Sequence, residues 1–395
     1  MEVLEAIQKR RTVRTPFDER RIPTSALDTL LETSNISPSG DPISWQMVTI
    51  EDHTTKSELV QIVEEDFGDA FQRDSDKFRE VFSKYPQWLR FSKEAKDGIA
   101  LLGFPEFAKH FYRLALSKRL GPLFGKLGIM NREIELYCSN IVSNPLIFGV
   151  FLNRRVKVGP NIVKPIINAG GMLQNMRLAA TSLGLSYQDL GWITATKSSS
   201  ERARRLLNIP ENYTAINFFR VGYPNSLSRE SKKSDFRRDL AAIVHLGKFG
   251  SKDFAVIPIK RARIGVLDAI RGNKAERAAA LISKDELGYI LEAARWAPTG
   301  FNVQPFEFVV IEHESYPTIA VLENRERKDP DPGPCEALAR GGVLQNIRLA
   351  SRALGVRCEI KQLANAEADY VKRTLYVPNN YSMVGLVRLK EDKNG

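Results

Sequence analysis

The residues best suited to chemistry stand near the N-terminus, where Arg10, Arg11, Thr12 and Arg14 follow the first helical stretch. Arg10, Thr12 and Arg14 are spaced to converge on one anion, two guanidiniums offering forked donors and the hydroxyl a further hydrogen bond. A single phosphate suits them, although an arginine-rich helix end taken alone is more often simply solvated. Metal and thiol chemistry find little support. Three cysteines (Cys138, Cys335, Cys358) and four histidines (His53, His110, His245, His313) show no ligand spacing, which argues against structural zinc, a disulfide framework and a histidine-centred triad. Catalysis must therefore borrow a cofactor.

The elements that would position such a site come from a chain of 395 residues, 43% hydrophobic and 27% charged, long enough for two ordinary domains. These proportions exclude collagen, coiled coil and wholesale disorder. The longest apolar run, 141–152, is interrupted by Ser143, Asn144 and Pro145, so no transmembrane helix is expected. Met1 to Arg11 lacks a signal-peptide core, and a cytoplasmic protein is expected. The net charge of +11 admits nucleic acid, an anionic membrane surface or small anionic ligands. Basic residues are spread along the chain without a nucleic-acid-binding signature, and nucleic acid is not expected as a partner.

The chain repeats itself. Val3-Leu4-Glu5-Ala6-Ile7 recurs as Val266-Leu267-Asp268-Ala269-Ile270, and Pro38-Ser39-Gly40 answers Pro298-Thr299-Gly300. The ten residues from Gly170 to Ala179 recur from Gly341 to Ala350 around a common Leu-Gln-Asn-x-Arg-Leu-Ala, and Ile209-Pro210-Glu211-Asn212-Tyr213 is echoed by Val377-Pro378-Asn379-Asn380-Tyr381. The offsets are 263, 260, 171 and 168 residues, which places about 89 extra residues in the first copy between Gly40 and Gly170. Two α+β units are expected, 1–245 and 262–395, joined by a linker at 246–261. Each reads as two helices, a strand, a glycine-led helix and a closing strand. In the Gly170 helix, Leu173, Met176, Ala180 and Leu183 fall at helical spacing, and Gln174 and Asn175 serve either packing or function.

The order Ala-Ile-x-x-Arg-Arg-Thr-x-Arg, Pro-Ser/Thr-Gly, Gln-Asn-x-x-Leu-Ala and a final Gly222-Tyr223-Pro224 resembles the nitroreductase family of FMN-dependent oxidoreductases. The resemblance implies an α+β, three-layer α/β/α fold, duplicated here in tandem as an intramolecular pseudo-dimer, because family members are homodimers with FMN at the interface. It implies phosphate binding by Arg10, Arg11, Thr12 and Arg14, with Arg237 as a late basic contact. A flavin loop from the other half matches Pro298, Thr299, Gly300, Asn302, Gln304 and Pro305. The loop beside the flavin N5 matches 185–191, including Gln188, Asp189 and Gly191. The second copy has Asn273, Ala275 and Arg277 where the first has Arg10, Thr12 and Arg14, and the first copy has Pro42-Ile43-Ser44-Trp45 in place of Asn-x-Gln-Pro. The losses are complementary, which predicts one composite FMN site and one degenerate site per chain.

The resemblance further implies NAD(P)H as electron donor and hydride transfer to a nitroaromatic, quinone or other conjugated aromatic acceptor, with no protein acid or base required. Alternatives are a specialised biosynthetic dehydrogenase, a flavin-consuming enzyme, or a non-enzymatic FMN-binding or storage protein. An aromatic-rich insert at about 55–160 is read as a lid over an aromatic substrate, as amphipathic helices completing the core, or, less favoured, as a membrane-touching surface. The fused chain can act as a monomer.

Overall fold

The computed structural model describes residues 1–36, 45–68, 131–155, 164–194, 196–225, 237–252, 254, 264–273, 275, 281–312, 316–327 and 334–390. Most of the insert, the Pro38-Ser39-Gly40 motif and the Lys233 to Phe236 stretch lie outside them. The α+β class is as expected. One antiparallel sheet has the order β1 (Trp45–Ile50), β2 (Leu146–Asn153), β4 (Tyr213–Gly222), β3 (Ser186–Asp189). The second repeats it with β6 (Phe306–Ile311), β7 (Thr318–Asn324), β9 (Tyr381–Lys390) and β8 (Arg357–Lys361), and adds β5 (Val244–Leu246) in parallel beside β6. Even the irregularities recur. A register shift at Val150/Phe151 between β2 and β4 reappears at Val321/Leu322 between β7 and β9, and Asn208 and Tyr376 share a positive φ of 53° and 56°.

The first helices form where the sequence supplies caps. The α1 helix (Val3–Lys9) starts at a capping box between Glu2 and Glu5, and α8 (Lys284–Arg295) at one between Ser283 and Glu286. Between them in chain order lie α2 (Thr24–Asn35), α3 (His53–Val63), α4 (Asn131–Val142), α5 (Pro165–Ser182), α6 (Lys197–Leu206) and α7 (Val266–Arg271). They are followed by α9 (Cys335–Ala353) and α10 (Asn365–Thr374). No described helix is long and apolar enough to cross a membrane.

The two sheets are joined through α5 and α9, the repeated glycine-led helices. Their contact is reciprocal, as a twofold relation requires. Gln174 Nε2 donates to Asn346 Oδ1 at 2.8 Å, and Gln345 Nε2 donates to Asn175 Oδ1 at 2.7 Å. A Cβ on Gly170 would meet the Leu338 carbonyl oxygen at 2.2 Å, and one on Gly341 would meet that of Ile167 at 2.0 Å. Only glycine permits the backbones to approach this closely. At the other end of the same axis Glu2 pairs with Gly265, and the Val266 N–H donates to the Met1 carbonyl at 2.9 Å.

Elements are exchanged across this contact. Val3, Leu4, Ala6 and Ile7 of α1 are buried in the core of the second half, with Tyr289, Ile290 and Phe308. The β5 strand, at the end of the first unit, pairs with β6 of the second. The stretch read from sequence as an insert at 55–160 also contains β2, a central strand bonded to both β1 and β4. The extra residues therefore fall between β1 and β2, at 51–145, where the second half has only 312–317 between β6 and β7.

Candidate functional site

Arg10 ends α1 and turns its side chain into the junction of the halves, where it is 7% exposed. Its Nε has no hydrogen-bond partner among the described residues. Burial, followed by the fields of Arg177, Arg237 and Arg11, pushes its pKa down to about 9. The acid acting on it, Asp189, is already engaged. Both Asp189 oxygens accept from Arg177 Nη2, at 2.9 and 3.0 Å, and one also accepts from Tyr187 Oη and Asn217 Nδ2, each at 2.9 Å. Burial alone would raise the Asp189 pKa, but Arg177 and Asn217 hold it below the usual carboxylate value. Arg177 is fully committed, while Arg10 is a buried cation that asks for an anion.

Trp296, at the C-terminus of α8, carries this basic group to the second half. The Arg237 guanidinium lies 4.5 Å and that of Arg11 5.3 Å from the indole centroid, and the indole Nε1 donates to Glu292 Oε1 at 2.7 Å. Arg11 also donates to the Gln8 carbonyl. The residue after Arg237 reaches the flavin-loop candidates. The Arg238 N–H donates to Gln304 Oε1 at 2.8 Å, and Arg238 Nη2 donates to Glu307 Oε1 at 2.7 Å. The 298–304 loop is held under strain, with Asn302 at φ 55° and Gln304 at φ 48°, both buried. Non-glycine residues adopt this region at a cost of about 1 kcal/mol or more each, and such strain concentrates at functional sites. The loop closes by a bond of 3.2 Å from the Gln304 N–H to Thr299 Oγ1, and Pro298 packs against Gly342.

The structure thus brings Arg10, Arg11, Asp189 and Arg237 together and ties Arg237 to the loop of Thr299, Gly300, Asn302 and Gln304. Thr12 lies beside them, bridged to Tyr187 of β3. Arg14 is exposed, and its carbonyl accepts from Asn140 Nδ2 at 2.7 Å. The reading of 185–191 as one loop is corrected, because 186–189 is the edge strand β3, whose alternation sends neighbouring side chains to opposite faces. Asp189 joins the Arg177 network, but Gln188 points the other way and accepts from Arg220 Nε at 2.6 Å. Arg220, fully buried, in turn donates to the Thr15 carbonyl at 2.7 Å and packs on Phe17. Gln188 therefore braces the segment behind the site. Gly191 opens a 3-10 turn with free space beside its α-carbon.

Sequence reasoning missed Arg177, Tyr187, Asn217, Trp296, Arg238 and Glu307. Arg177 stood in the repeated helix motif, and its pairing partner twelve residues on was the available signal. The donor set fits a phosphate monoester such as the end of FMN, with Arg10 as the uncommitted cation. Beside Thr299, Gly300 and Pro305 the described residues form a cavity of about 100 Å³, reaching Glu323 and Arg340. Small-molecule sites run to about 300–1,000 Å³, so this cavity does not by itself enclose a flavin ring.

Among curated proteins, none matches the chain. A model of the Nitroreductase family matches residues 277–316. Similar solved structures include a nitroreductase with bound FMN from Bacteroides fragilis, at 18% identity and TM-score 0.34, over 57% of this chain and 89% of that one. An FMN-dependent nitroreductase from Clostridium difficile shares 13% identity over 56% of this chain and 87% of its own, with a TM-score of 0.33. A nitroreductase family protein from Clostridium novyi shares 12% over 64% and 97%, with a TM-score of 0.34. The matched residues include Trp296, the strained 298–304 loop and β6.

Proposed function

We propose that this chain is an NAD(P)H-dependent FMN oxidoreductase of the nitroreductase type, with one composite flavin site per chain. In this reading two tandem units, 1–245 and 262–395, act as an intramolecular pseudo-dimer. The observation that carries it is Arg10, a buried guanidinium without a committed anion, set between Arg177 and Asp189 of the first half and, through Arg237 and Trp296, the family-matched loop of the second. Arg10 holds the phosphate, with Arg11, Arg237 and the Thr12 hydroxyl around it. The Arg177–Asp189 pair keeps the wall beside it neutral overall and rigid. Asn302, Gln304 and Thr299, fixed in strained backbone, orient the ring from the other half. FMN held there would supply the redox chemistry between NAD(P)H and a conjugated aromatic acceptor, while these residues bind and orient it.

The test is the visible spectrum of the purified chain, with released flavin counted per polypeptide before and after anaerobic NADH or NADPH. One FMN per chain that bleaches is expected. Arg10→Ala with Arg14→Ala abolishes retention, Asn302→Ala in the other half weakens the same flavin, and Arg277→Ala leaves it bound. Two flavins per chain, or an indifferent Asn302→Ala, would overturn the composite site, and flavin that stays oxidised would overturn the activity.

A further inference from the structure

The half of the molecule that has lost its Arg10 counterpart is rebuilt around a different pair of arginines. Arg348 on α9 occupies the position that Arg177 holds on α5, but the acid that neutralises Arg177 is absent, because Ile360 stands on β8 where Asp189 stands on β3. One helical turn further, Arg352 replaces Thr181, so two guanidiniums follow each other at i and i+4 on one face of α9. Among the described residues their side chains bond to neutral partners. Arg348 Nη1 donates to Gln345 Oε1 at 3.2 Å and Arg352 Nη1 to the Ala269 carbonyl at 3.0 Å. Cys358, in the place of Tyr187, faces both, and Asn273, in the place of Arg10, lies in the same corner through Ala275, whose N–H donates to the Arg352 carbonyl at 3.1 Å. Burial lowers the pKa of both arginines, while Glu359 on the same strand is paired outward with Lys390 and Arg357. Two like charges one turn apart repel by a few tenths of a kcal/mol even when exposed. Among the described residues no carboxylate bonds to either, unlike Arg177, which Asp189 balances in the first half.

We propose that the second half carries its own oxyanion site, in which Arg348 and Arg352 hold a phosphate group, free or as the end of a small phosphomonoester, without a flavin. Forked donors on successive turns match the tetrahedral oxygens of phosphate. In sequence, Asn273 supplies no charge where the first half has Arg10, and Pro42-Ile43-Ser44-Trp45 stands in place of Asn-x-Gln-Pro, so flavin is not expected here. The site does not rest on flavin binding at Arg10.

The experiment uses the full chain carrying Arg10→Met, which silences phosphate at the first site. Calorimetric titration with inorganic phosphate at constant ionic strength is expected to show one phosphate per chain, weakened at least tenfold by Arg348→Met or Arg352→Met. Phenylglyoxal, which modifies arginines of lowered pKa fastest, is expected to label Arg348 and Arg352, with phosphate but not chloride slowing this severalfold in peptide mapping. Glycerol phosphate displacing phosphate assigns the site to monoesters, and its failure assigns the free ion. Should the methionine variants misfold, Arg352→Gln and the mapping decide alone. No phosphate bound, equal affinity in the variants, or a molar equivalent of FMN bound through Arg348 would overturn the proposal.

Discussion

A cation buried without a counter-ion is costly, and proteins keep such groups where a ligand completes them. Arg10→Met should therefore stabilise the ligand-free chain by about 1–2 kcal/mol while abolishing flavin retention, read as a higher urea midpoint and no bound flavin. The pH dependence has a definite sign. The folded pKa of about 9 lies well below the ordinary guanidinium value, so above pH 9 the unfolded chain holds a proton that the folded chain has released, and stability from this residue rises with pH. The gap between variant and parent should close from pH 8 to pH 10.5 in denaturation curves, whereas phosphate-ester affinity should fall about tenfold per unit above pH 9. A gap that widens would show that Arg10 is not the strained cation. Arg10, Thr12 and the 298–304 loop stood out as candidates because their spacing is local. The Arg177–Asp189 pair did not, since a helix residue and a strand residue meet only through the packing of α5 on the sheet, and 186–189 was read as loop because Ser-Tyr-Gln-Asp lacks the apolar alternation that announces a strand.

The repeated helices were the plainest element in the sequence, and the structure gives their shared residues a common reason. Gly170 and Gly341 admit the carbonyls of Leu338 and Ile167, and the Gln-Asn pairs cross-link the same contact with buried amide bonds. Gly341→Ala should then force α5 and α9 apart at a cost of about 1–3 kcal/mol or more, read as a lowered melting temperature and, in the proposed function, loss of flavin. Gly342→Ala, where an added Cβ would meet only Pro298 at 3.5 Å, should cost much less, and equal thermal shifts for the two would refute the close-approach account. Gln345→Ala leaves Asn175 Oδ1 buried without its donor, worth about 1–3 kcal/mol. Sequence showed an amphipathic helix with polar residues inside its motif. That those residues face each other across a twofold was not readable, because a single copy contains only half of each bond.

At the scale of the molecule, the exchanged elements decide whether the two halves are separate domains. Four buried side chains of α1 lie in the second half's core, of which Val3, Leu4 and Ile7 contribute roughly 4.5–9 kcal/mol at 1.5–3 kcal/mol each, comparable to the whole stability of a small domain. Leu338 of α9 returns the exchange by entering the core around Met172 and Phe148, and β5 supplies an edge strand to a sheet whose other strands come from the second unit. Repeat offsets mark the matching segments along the chain but carry no information about which core a helix enters. A chain split between residues 254 and 255 should accordingly give two fragments that are unfolded alone and regain native near-ultraviolet dichroism and cooperative melting only when mixed. In the proposed function the composite phosphate site needs the same pairing, so flavin retention should return with the fold. Cooperative unfolding of either fragment by itself would mean that the shared core is dispensable, and the halves would then be two domains in contact instead of one co-folded unit.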